Sequence, residues 1–64
     1  MDKSDTTHQI ISVLMKEARH SMDHEDFQDA VIKLQRCLQL EDESESRAAI
    51  LSELGYCFFE IRMV

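Results

Sequence analysis

Apolar residues recur in this chain at three- and four-residue steps along three separate stretches, with no proline and a single glycine, Gly55. That combination withholds the turn chemistry of a β-hairpin and leaves the α-helix as the regular structure the pattern specifies. The first stripe reads Ile10, Ile11, Leu14, Ala18 and Met22; the second Phe27, Ala30, Val31, Leu34, Cys37 and Leu38; the third Ile50, Leu51, Leu54, Cys57, Phe58 and Ile61. The fold class expected is all-α, with three amphipathic helices over about 7–23, 26–40 and 47–62. Thr6 stands three residues before Gln9, a capping-box start for the first helix. Asp26, with Asp29 three residues later, suits the N-cap of the second, because its carboxylate accepts from the free amides of the first turn. Residues 1–6 are expected to be a disordered N-terminus, and residues 41–46 an acidic loop.

The chain has 64 residues, room for one small domain and below the length at which a single core is comfortable. Its net charge is −6, and Glu41, Asp42, Glu43 and Glu45 crowd one short run. An acidic chain is poorly suited to nucleic acid, where phosphate neutralisation needs clustered Lys and Arg. The acidic run reads as a solvated loop, with docking of a basic partner the lesser reading. Cys37 and Cys57 both fall within apolar stripes, as buried thiols of a reducing compartment do, so a cytoplasmic location is expected. No apolar run is long enough to insert in a membrane, and the opening residues lack an apolar signal core.

His20 and His24 lie four apart, among Asp23, Glu25 and Asp26. The spacing puts two imidazoles on one side of a helix, yet structural zinc takes four ligands, normally with thiolates, and neither cysteine is near in sequence. The stretch therefore reads as a polar corner between helices, with metal binding or a pH-responsive switch as minor alternatives. No Gly-rich phosphate loop is present, and no nucleophile has a partner histidine in an identifiable arrangement. The expectation is a chain that is not an enzyme and holds no cofactor and no metal.

The corner also carries a family resemblance. Asp26-Phe27-x-x-Ala30 resembles the opening of the second helix of a tetratricopeptide repeat, and Ala18, Leu34 and Cys37 follow at the family's offsets. A second start, Leu51-x-x-Leu54-Gly55-x-x-Phe58, resembles the family's Trp-x-x-Leu-Gly-x-x-Tyr. Ala18 to Gly55 is a step of 37 residues, against a period of about 34 in the family. The extra residues fall in the acidic loop. Glu17 and Ser21 stand where Leu and Tyr are usual, which makes the first helix a degenerate copy. The main alternative family is the three-helix microtubule-interacting-and-trafficking adaptor, but helix 3 has Leu54-Gly55-Tyr56 and lacks that family's Tyr-x-x-Arg-Ala pattern.

The resemblance implies about one and a half repeats, acting as a protein-interaction scaffold. Small residues at Ala18, Ala30 and Gly55 would let helices lie close, and Phe27 and Phe58 would fill the space between hairpins. The concave face would present Met15, Lys16, Arg19 and Met22 with Ser52, Tyr56 and Phe59 to a peptide or helix of a partner protein. The carboxylate clamp of the family's chaperone-binding members is absent, since its positions read Met15, Arg19 and Glu53. In the repeat register the sequence stops just before a further helix, leaving Leu51, Leu54, Phe58 and Ile61 uncovered. The expectation is a piece of a longer repeat protein, or a chain that completes its core by homo-oligomerisation or by receiving a partner helix.

Overall fold

The computed structural model describes residues 3–62. They form three helices, α1 (Lys3–Asp23), α2 (Phe27–Leu40) and α3 (Ser44–Arg62), and no strand among the described residues. The fold is all-α.

α1 starts four residues earlier than the capping box marks, so residues 3–6 are helical, while Met1 and Asp2 lie outside the described residues. A capping box offers a place to start; it does not stop propagation when the preceding residues tolerate helix, and Asp5 in the first turn favours the positive end of the helix dipole. α1 ends in a tight reversal. Asp26 N donates to Ser21 O (2.8 Å) and Glu25 N to Met22 O (3.0 Å), with Glu25 in the left-handed region at φ 62°. This is the Schellman closure, made with glutamate where glycine is usual.

Asp26 is the N-cap of α2, its Oδ1 accepting from Asp29 N at 3.3 Å. The far end of α2 is closed by a side chain from the next helix. Arg47 Nη1 donates to Leu38 O (2.7 Å) and Glu41 O (2.9 Å), satisfying carbonyls that a helix C-terminus leaves open. Glu41 is buried, and its Oε1 accepts from Glu43 N (3.1 Å). The loop shrinks to residues 41–43 and α3 begins at Ser44, because Glu43 O already accepts from Arg47 N and Glu45 suits a first turn.

α2 occupies the centre, with α1 packed on one side and α3 on the other. Ile11 and Ala18 of α1, Ala30, Val31, Leu34 and Cys37 of α2, and Ile50, Leu54 and Cys57 of α3 make one continuous core. The molecule measures 44 × 21 × 13 Å along its principal axes, longer than α1 itself, which spans roughly 32 Å at 1.5 Å per residue. The helices are therefore offset along their length as well as arrayed side by side.

Candidate interaction surface

At the corner, Asp29 is the organising group. Its Oδ2 accepts from Ser21 Oγ at 2.6 Å and from Lys33 Nζ, one turn further along α2. The hydrogen bonds from Lys33 and then Ser21 hold the Asp29 carboxyl below its ordinary range, and Asp29 in turn raises Lys33. Ser21, buried in α1, thus ties α1 to α2 through a hydrogen bond where the tetratricopeptide pattern would place a tyrosine. The His20 and His24 rings meet edge to face at 4.4 Å, both exposed. Among the described residues no group of three or more His, Cys, Asp or Glu is placed to hold a metal ion.

α1 and α3 meet where Arg19 Nη2 approaches Glu53 Oε1 at 3.5 Å. With Arg19 two-thirds open to water, this pair orients more than it stabilises. Glu53 Oε2 is buried with no hydrogen-bond partner among the described residues, which costs the fold something. Beside this contact, Tyr56 packs edge-on against Phe27, ring centroids 6.0 Å apart at 73°. Of the residues expected on this face, Lys16, Arg19, Ser52, Tyr56 and Phe59 are exposed. Met15 and Met22 are half-buried against the core and offer a partner less surface.

Burial raises the Cys37 and Cys57 thiols, and the Glu53 carboxylate adds to the shift in both. Both cysteines are free, and Cys37 Sγ lies 3.8 Å from Ile11 O. Raised, enclosed thiols are poor nucleophiles at neutral pH.

The four residues expected to form one uncovered stripe on α3 divide. Leu54 is buried and Ile61 half-buried, both packed into the core, whereas Leu51 and Phe58 are 52% and 46% exposed. The cause is rotational: α2 covers the side of α3 that carries Ile50, Leu54, Cys57 and Ile61, and Leu51 and Phe58 lie about a quarter-turn away at 3.6 residues per turn. Phe58 therefore fills no space between hairpins. Gly55 permits no close approach among the described residues either, since a Cβ there would meet nothing within 4 Å. Gly55, Phe58, Phe59 and Arg62 line an open recess on this outer side.

Sequence periodicity missed a second apolar area. Ile10 belongs to the outside, not to the inward stripe; with Leu14 and Ile32 it lines a shallow groove between α1 and α2, and with Val13 and Leu14 a second shallow recess on α1. Val13 and Ile32 were visible as apolar residues off the stripes, a signal that only the structure turns into a surface. No helix among the described residues is long and apolar enough to cross a membrane. Comparison of the chain with protein-family models, curated proteins and solved structures finds no match.

Proposed function

We propose that this chain is a non-catalytic protein-interaction module, a tetratricopeptide-like segment whose α3 receives a helix or peptide of a protein partner. One observation carries the reading: α3 bears apolar residues around most of its circumference, yet its neighbours cover one side. Leu51, Tyr56, Phe58 and Phe59 are each about half open to solvent within a helix of 19 residues. A helix with this distribution is normally enclosed, and exposed apolar area of this kind marks an interface. The Arg19–Glu53 ion pair is the point at which α1 and α3 approach each other, as the first helices of successive repeats do. The enclosed, raised thiols favour binding over nucleophilic chemistry, and free cysteines in the core suit a reducing compartment such as the cytoplasm.

Site-specific photocrosslinking tests the assignment. A benzophenone side chain placed at Phe59 or Leu51 should give a protein adduct in cells, with a second copy of the chain or with another protein, whereas one at the exposed Glu17 of α1 should give little. Absence of any adduct from the α3 positions would overturn the reading.

A further inference from the structure

Six exposed residues of α3, Ser44, Ala48, Leu51, Gly55, Phe58 and Arg62, follow one another at alternating four- and three-residue steps. That is the spacing of a two-helix coiled-coil seam, with Ala48, Leu51, Gly55 and Phe58 at its centre, drawn on the side of α3 that no other described residue covers. We propose that its occupant is α3 of a second copy, running antiparallel. The proposal rests on the interaction reading above and names the partner for the same face.

The order of sizes along the seam selects both the partner and its direction. In an antiparallel pair with the two helices fully overlapped, Leu51 lies opposite Gly55 of the other copy and Ala48 opposite Phe58, each pairing made twice by symmetry. Ser44 lies opposite Arg62. Every layer then joins a large side chain to a small one, so the helix axes approach to about 8 Å, the short end of the usual range. A parallel pair would instead set Phe58 on Phe58, leave a void between facing glycines and bring the two Arg62 guanidinia together. Charge points the same way. Asp42, Glu43 and Glu45 are exposed around the start of α3 and Arg62 is exposed in its last turn. Reversal brings the arginine of each copy to the acidic end of the other.

Gly55 gains a reason from this arrangement. Glycine inside a helix is unfavourable relative to alanine by about 1 kcal/mol, and no neighbour among the described residues requires it, since the position faces open space. Opposite Leu51 of a second copy it becomes the hole that receives the knob.

Sedimentation equilibrium of the purified full chain, with helicity followed by circular dichroism over the same concentrations, supplies the test. The expected result is a monomer–dimer equilibrium in the micromolar range. Gly55→Leu should weaken it about tenfold or more by filling the hole, without lowering the melting temperature of the dilute chain. Arg62→Glu should also weaken it, and adding Glu45→Arg should restore most of the loss. A 7.5 kDa monomer throughout the micromolar range overturns the proposal, and so does a dimer whose affinity Gly55→Leu leaves unchanged. If the chain stays monomeric but position 59 crosslinks to a different protein, self-pairing fails while the interaction reading stands. If the chain stays monomeric and no crosslink forms at all, both fail.

Discussion

α2 and α3 are both rich in apolar residues, but α2 gathers most of them into one stripe, Ile32 standing outside it, and α3 spreads them around its axis. The stripe of α2 is enclosed by two neighbours, so that Ala30, Leu34 and Cys37 are inaccessible to solvent. α3 offers Ile50, Leu54 and Cys57 to α2 and leaves Leu51, Phe58 and Phe59 outside. The contrast shows that periodicity reports how many sides of a helix need cover, and that a helix with more apolar sides than neighbours is open for association. Gly55 and Ala30 sharpen the point. Both are small residues on apolar faces, yet one lies in open space and the other is fully enclosed.

The strongest way to break this contrast is to truncate one residue from each region. Leu34→Ala removes one of the largest fully buried side chains and should cost about 3–4 kcal/mol in urea unfolding. Phe58→Ala, measured at concentrations where the chain is dilute, should cost less than about 1 kcal/mol, since a half-exposed ring loses little burial. Equal losses at the two positions would erase the difference between the helices. Next in size is Ala30→Leu, which overpacks an enclosed site and should destabilise by about 1–3 kcal/mol. A variant no less resistant to urea than the parent would refute the close approach at Ala30.

A smaller gain should come at the α1–α2 corner. Glu25→Gly relieves a left-handed residue and should stabilise by about 0.5–1 kcal/mol after glycine's extra unfolded-state entropy is counted. An unchanged or lower urea midpoint would contradict the strain assigned to Glu25.

The least effect belongs to the Asp29–Lys33 pair, which is partly open to solvent. Asp29 is held below 3.8, so its contribution is complete above that pH and is lost as the pH falls through the lower folded value. Lys33 is raised above 10.5, so its contribution is complete below that pH and is lost as the pH rises through the higher folded value. Asp29→Asn should flatten both limbs of a plot of urea midpoint against pH. Limbs parallel to those of the parent would remove Asp29 from the corner's charge balance.

Local chemistry made the helices and the Asp26 cap legible from the sequence, because periodicity, the lack of proline and an acidic N-cap act within a turn or two of chain. The core of α2 was legible for the same reason, its stripe being narrow enough to face one way. The ends were less so. The start of α1 before Thr6 depends on a capping signal being passed over, the Schellman turn uses Glu25 where no glycine announces it, and the end of α2 is closed by Arg47 from nine residues beyond Leu38. The apolar face of α3 was legible as composition and illegible as geometry: Leu51, Leu54, Phe58 and Ile61 read as one stripe, but the rotation of α3 against α2 sent Leu54 and Ile61 inward and left the other two out. A sequence specifies which side chains avoid water through spacing along one helix. Which of them remain in water is decided between helices, by the angle at which their surfaces interlock, and that angle belongs to the packed structure alone.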